Sequence, residues 1–226
     1  MSSKYTAIIV EPRKHKALSF VLHNFLQNLS DEWNIILFHG NQNIEFINEI
    51  LKNELSQYMH RITLENLHVD NLTIKEYNHL FIHNRDFYSK IPTETFLVFQ
   101  TDTMIFDKNK HLLNMFLEYD YVGAPWNHYP INRETVGNGG LSLRKKSKML
   151  EIMDKSPYRH LPEDVYFSCP INVSIHKPTF EVAKLFSVEE TFSNITFGCH
   201  QIWIREFWDE FRKLYPEAEI LASLQK

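Results

Sequence analysis

Short apolar runs alternate with segments of helical periodicity through the first half of the chain, and this alternation restricts the fold more than any other feature. Tyr5 to Val10 reads as a buried strand stopped by Glu11-Pro12. Between Lys16 and Leu29 the apolar residues Leu18, Val21, Leu22, Phe25, Leu26 and Leu29 fall on one helical face. Asn34 to Phe38 is a second strand, Asn43 to Leu55 a second helix, and Arg61 to Leu64 a third strand. Thr73 to Tyr88 reads as a helix broken near Asn84, and Thr95 to Phe99 as a strong strand. Strands that alternate with helices predict a parallel α/β sheet covered on both faces. The second half is less regular. Short strands are expected at Tyr119 to Gly123 and Gly139 to Leu143, and helices at Lys145 to Met153 and from Glu163. A final helix over Gln201 to Leu214 would pack Ile204, Phe207, Trp208, Phe211 and Leu214 on the core.

Composition narrows the function classes. With 17 Phe, 10 Tyr and 4 Trp, the chain has ample material for a core, which excludes general disorder. It carries 24 Lys and Arg against 28 Asp and Glu, the wrong balance for a general binder of nucleic-acid backbones. Only 6 glycines are present, and neither G-x-G-x-x-G nor G-x-x-x-x-G-K-[ST] occurs. Two cysteines, Cys169 and Cys199, cannot build a disulfide framework and read as thiols in a reducing compartment. No stretch approaches the roughly 20 apolar residues that cross a bilayer, and the first apolar run is too short for a signal-peptide core. The expectation is a cytoplasmic protein without a membrane span or nucleic-acid partner, its oligomeric state open.

Ligands of open α/β sheets bind outside the carboxyl ends of the strands. Three polar segments leave strands there: Val10-Glu11-Pro12-Arg13, Phe38-His39-Gly40 and Gln100-Thr101-Asp102. Asp102 lies between apolar segments, where a carboxylate is costly unless it is paired, hydrogen-bonded or bound to a metal. Half of the glycines fall in Gly137-Asn138-Gly139-Gly140, which reads as a tight turn or as close approach of backbone to a ligand. Arg144 follows on an alternating strand, within reach of a phosphate or a carboxylate. Pro162-Glu163-Asp164 opens a helix. These acids serve as caps, or one of them as a base. Cys199-His200 lacks a second Cys/His pair at zinc spacing.

In order, these segments resemble the catalytic domain of nucleotide-sugar glycosyltransferases of the GT-A fold. Gln100-Thr101-Asp102, Tyr121-Val122-Gly123-Ala124-Pro125-Trp126, Gly137 to Arg144 and Glu163-Asp164-Val165 are similar, more closely, to a glycosyltransferase-like family catalogued as a domain of unknown function. The resemblance runs from Ala7 to about Trp203. It implies a single domain over 1–226, a Rossmann-type central mixed, mostly parallel sheet flanked by helices. Residues 1–105 would form the nucleotide-binding half and 106–226 the acceptor and catalytic half.

The resemblance also implies roles. The Asp-x-Asp motif of such enzymes binds ribose and a divalent cation through the donor diphosphate. Here its first acid is Gln100, which leaves Thr101 and Asp102 for the donor and Asp102 as metal ligand. His200 matches the late histidine that serves as a further ligand of Mn2+ or Mg2+. Val10, Glu11 and Arg13 match the strand end that holds the base. Lys75 would contact the nucleotide, with a solvated helix lysine as the alternative. Gly139 and Gly140 would border the sugar, with Arg144 on the donor side. Trp126 would stack on a sugar face or be buried in the core. Asp164 would be the base of an inverting reaction, with Glu163 in support. The donor would be a nucleotide-sugar, with UDP as the nucleotide, and the acceptor a hydroxyl of a glycan, protein or small molecule. The alternative is a non-catalytic nucleotide- or sugar-binding module on the same scaffold, to which Gln100 points.

Overall fold

A computed structural model describes residues 3–127 and 135–226. Six strands form the main sheet: β1 (Tyr5–Val10), β2 (Trp33–His39), β3 (Ile62–Asn66), β4 (Thr95–Val98), β6 (Tyr121–Gly123) and β9 (Ser142–Lys145). They lie in the order β3-β2-β1-β4-β9-β6. The β1–β2, β1–β4 and β2–β3 pairs are parallel, while β9 runs antiparallel to both β4 and β6. The sheet is therefore mixed and mostly parallel, as expected.

Successive residues of the strands enter opposite cores, which is why the strands read as unbroken apolar runs. Ala7, Ile9, Leu97 and Phe99 pack on one face with α1 (Leu18–Asn28) and α2 (Ile44–Asn53). The C-terminal helices α8 (Trp208–Leu214) and α9 (Ala218–Ser223) close the same face with Phe211, Tyr215 and Leu221. Ile8, Ile36, Phe38, Phe96 and Val98 pack on the other. There they meet α3 (Ile74–His83), α4 (Arg85–Ser89), α5 (Lys146–Lys155) and α6 (Glu163–Ser168). A short α7 (Phe180–Ala183) lies farther along the chain.

Local chemistry sets the boundaries. Thr73 and Glu76 form a reciprocal capping box that starts α3. Asn84 turns extended and its side chain accepts from Phe87 N at 3.0 Å, so it ends one helix and caps the next at the expected break. The guanidinium of Arg61 donates to the carbonyls of Leu26, Leu29, Ser30 and Trp33, which ties the end of α1 to β2.

Two small sheets complete the fold. β5 (Thr103–Ile105), β10 (Ser187–Val188) and β11 (Gly198–His200) form one, in the order β10-β11-β5; β7 (Pro125–Trp126) and β8 (Thr135–Val136) form the other. Two expectations need correction. Gly139 to Leu141 form a loop, with β9 starting only at Ser142. The C-terminal stripe is not one helix. Gln201 adopts a left-handed conformation (φ 49°), a short 3-10 turn covers Ile202–Ile204, and α8 begins at Trp208. Ile204 is consequently exposed rather than packed.

The stacked rings of Phe25 and Phe99, 3.9 Å between centroids, join α1 to the end of β4. Both are fully buried. Phe25→Ala is expected to cost about 3–5 kcal/mol of unfolding free energy, read by urea denaturation.

Candidate active site

A cavity of about 380 Å3 opens at the carboxyl ends of β1 and β4. Val10, Glu11, Arg13, Thr101, Asp102, Gly139, Gly140, Glu163, Asp164 and His200 all line it.

The small sheet places His200. Antiparallel pairing of β11 with β5 sets Cys199 opposite Met104 and His200 opposite Thr103, which brings the imidazole beside Asp102. Nε2 lies 3.4 Å from Asp102 Oδ1. Gln201 fastens the same aspartate: its backbone N–H donates to the Asp102 carbonyl at 3.1 Å and its amide to Oδ2 at 2.6 Å. Burial opposes charge on His200, but Asp102 and Glu189 on either side outweigh it and push the imidazole up to about 10. Burial also works against the Asp102 carboxylate, yet His200 and Gln201 hold it below the ordinary range.

Neither His200 nitrogen nor Asp102 Oδ1 has a hydrogen-bond partner. Buried polar atoms are rarely left so. A carboxylate oxygen and an imidazole nitrogen facing each other suit a Mn2+ or Mg2+ ion. Among the described residues no group of three or more His, Cys, Asp or Glu side chains converges as a metal cage. The pair thus fits a cation whose remaining ligands come from phosphate and water, as Mg2+ commonly requires.

The glycines serve close approach, and none has positive φ. A Cβ on Gly140 would lie 2.4 Å from His200 Nε2, and one on Gly139 would lie 2.5 Å from Glu163 Oε1. Asn138 Oδ1 accepts from Gly140 N at 3.0 Å and shapes the turn.

Arg144 does not line the cavity, in contrast to its predicted place on the donor side. It is fully buried, and its guanidinium makes a fork on Glu163 at 2.6 and 3.0 Å. The rings of Phe81, Tyr121 and Phe167 surround it. Glu163 is thereby committed to Arg144, and its backbone N–H donates to Asn78. Asp164 is left facing the cavity. Burial first, then the Glu163 carboxylate, pushes Asp164 up to about 6. Gly139 N–H donates to its Oδ2 at 3.3 Å.

Two further expectations are corrected. Lys75 is exposed on α3 and is not among the lining residues, because the first helical turn presents Ile74, Tyr77 and Asn78 instead. Trp126 is buried in the β7–β8 pair, away from the cavity. Glu11 is buried and takes both the backbone N–H and the guanidinium of Arg13 at 2.8–2.9 Å. Sequence reasoning missed Tyr77 and Asn78, which line the cavity; Tyr77 accepts from the Gln100 amide at 3.1 Å. Both fall inside a stretch that read simply as a helix, with nothing to mark the face that turns to the cavity.

Two substitutions test this electrostatic arrangement. Arg144→Met is expected to cost about 3–5 kcal/mol by leaving a buried Glu163 carboxylate unpaired, and adding Glu163→Leu should recover much of it. Asp164→Asn should raise stability by on the order of 1 kcal/mol at pH 7. Because the folded Asp164 favours its proton, the native aspartate loses stability as pH rises through about 6. The gain from Asn should therefore vanish below the ordinary aspartate range, near pH 3, in denaturation curves at both pH values.

The fold is found again in solved glycosyltransferase structures. S. aureus TarS, residues 1–349, superposes with a TM-score of 0.53 at 10% identity over 96% of this chain and 65% of that one. TarS has been solved with UDP-GlcNAc and with UDP. The mannosyltransferase PcManGT from Pyrobaculum calidifontis, solved with GDP-Man and Mn2+, superposes with a TM-score of 0.51 at 10% identity, over 74% of this chain and 51% of that one. The chain thus spans about two thirds and one half of these two structures' lengths, and shares their GT-A type of fold. A search of curated proteins by sequence found no match. The family model described as "Protein of unknown function (DUF5672)" matches residues 61–200, well over half of the chain, and the protein belongs to that family.

Proposed function

We propose that this protein is a glycosyltransferase that moves a sugar from a nucleotide-sugar, with UDP as the nucleotide, to an acceptor hydroxyl. The observation that carries the reading is the meeting of Asp102, His200 and Asp164 around one cavity, across the Gly139-Gly140 turn. Residues 1–105 supply the nucleotide side and 106–226 the acceptor side. The TarS and PcManGT complexes with nucleotide-sugars support the substrate class.

Charge supports a cation requirement. Among the described residues, Arg13 and His200 are the cationic side chains that line the cavity, against Glu11, Asp102, Glu163 and Asp164. Arg13 is engaged with Glu11, and Glu163 with Arg144 behind it. A diphosphate entering beside the remaining carboxylates needs added positive charge. Asp102, and His200 once the ion has displaced its Nε2 proton, would hold a divalent ion, which would supply Lewis-acid stabilisation to the departing nucleoside diphosphate.

The protein's own groups account for the rest. The first strand end, Val10 to Arg13, borders the nucleotide, and Thr101 borders the donor. The two glycines leave room for the sugar. Asp164 accepts the acceptor hydroxyl proton as the acceptor oxygen bonds to the anomeric carbon. The bond from that carbon to the phosphate oxygen breaks, and its electron pair leaves with the nucleotide, so the configuration inverts. A carboxylate near 6 is mostly ionised at neutral pH yet basic enough to help. Lys75 and Trp126 have no part in this scheme.

Among the described residues, no helix is long and apolar enough to cross a membrane.

Hydrolysis or transfer with a panel of UDP- and GDP-sugars and Mn2+ tests the proposal. Asp164→Asn is expected to lower turnover by about 10²–10⁴-fold. The wild-type rate should fall as pH drops through about 6, because the protonated carboxyl cannot accept the proton. Asp102→Ala should abolish the Mn2+-dependent rise in melting temperature that UDP produces. Binding of UDP without turnover of any donor would instead favour the non-catalytic module.

A further inference from the structure

The buried Glu189 has no role in the scheme above, yet it faces the site from behind. Parallel pairing of β10 with β11 sets Ser187 opposite Gly198 and Val188 opposite Cys199. Glu189 follows directly on the end of β10 and His200 is the last residue of β11, which brings the two side chains side by side. Glu189 Oε1 lies 3.6 Å from His200 Nδ1, on the opposite edge of the ring from Asp102. Arg205 holds the same oxygen at 2.8 Å. Glu189 is only 6% exposed, and its Oε2 has no hydrogen-bond partner. A carboxylate at that depth is costly, and a single ion pair with a partly buried arginine seldom covers the cost.

We propose that Glu189 is a positioning residue for His200: it receives Nδ1 and so keeps Nε2 turned towards Asp102 and the cavity, while Arg205 fixes Glu189 from behind. The proposal rests on the reading of Asp102 and His200 as cation ligands. A histidine that binds metal through one nitrogen usually gives the other N–H to a carboxylate or carbonyl, which sets the tautomer and the ring orientation. The register of the small sheet supplies that arrangement here. β11 ends on the ligand, and the chain leaving β10 delivers its support. A purely structural role would tie Glu189 to Arg205 alone and leave the histidine indifferent to it.

The test compares wild type, Glu189→Gln and His200→Ala by titrating Mn2+ at saturating UDP and following melting temperature. Glu189→Gln should melt close to wild type without ligands but require about 10–100-fold more Mn2+ for the half-maximal shift. His200→Ala should lose the response more fully. In protein labelled with 15N-histidine, His200 Nδ1 should keep its proton when UDP and Mg2+ are added, and Glu189→Gln should change the Nδ1 resonance in the ligand-free protein as well. If Glu189→Gln does not fold, Arg205→Lys should give a smaller rise in the Mn2+ midpoint and the same change at Nδ1. An unchanged Mn2+ midpoint in Glu189→Gln, with a shifted one in His200→Ala, would overturn the role of Glu189 and leave the glycosyltransferase reading standing. An absence of any Mn2+ or UDP response in wild type would overturn both the cation reading and this role. An Nδ1 without a proton in the UDP–Mg2+ complex would overturn the positioning role directly.

Discussion

The fork between Arg144 and Glu163 is the interaction on which the Asp164 side of the cavity depends. It crosses from β9, the antiparallel strand between β4 and β6, to the first residue of α6. Its guanidinium sits among aromatic rings from α3, β6 and α6, so one ion pair joins four elements. Burying these charges is tolerable only because each meets the other with matched geometry. The consequence for the cavity is a division of labour between adjacent acids. Glu163 is neutralised from behind, while Asp164 keeps an unpaired face towards the cavity, and its proton affinity is raised by burial and by that same neighbour.

The other side of the cavity is organised by pairing rather than by a single ion pair. Three very short strands set Asp102, just before β5, His200, at the end of β11, and Glu189, just after β10, in a row. Gln201, in a left-handed conformation at the end of β11, folds back to hold Asp102 through both backbone and side chain. Gly140 lets the turn before β9 come within contact of the imidazole, which closes the row against the Asp164 side. The cavity that results is rich in carboxylates and has few free cations, a poor host for a bare diphosphate and a suitable one for a diphosphate that arrives with a metal ion.

Much of this was legible in the residues. β1, β2 and β4 are apolar on both faces and read as strands without any alternation. The break at Asn84 was visible because an Asn ends one helical pattern and begins another. Asp102 stood out at a strand end and Asp164 at a helix start, while His200 came in only through the resemblance. What stayed hidden has a common cause, since the meaning of a charged side chain depends on what covers it. Arg144 read as reaching either a phosphate or a carboxylate, because nothing in the alternation around it shows that Glu163, nineteen positions later, will take its fork. Lys75 and Ile74 could not be ranked, since a one-residue rotation of α3 decides which one faces the cavity. Strands of two or three residues, such as β10 and β11, are too short to show a period, so Glu189 gave no signal at all.

The central claim is that Asp102 and His200 share a cation with a nucleotide diphosphate in this cavity. A crystal structure of the protein grown with UDP and Mn2+, with anomalous data to locate manganese, tests it most directly. The account predicts one manganese peak within coordination distance of Asp102, His200 Nε2 and a phosphate oxygen, with the nucleotide base against the end of β1. UDP bound in the cavity with its phosphates away from Asp102 and no manganese between them would contradict it.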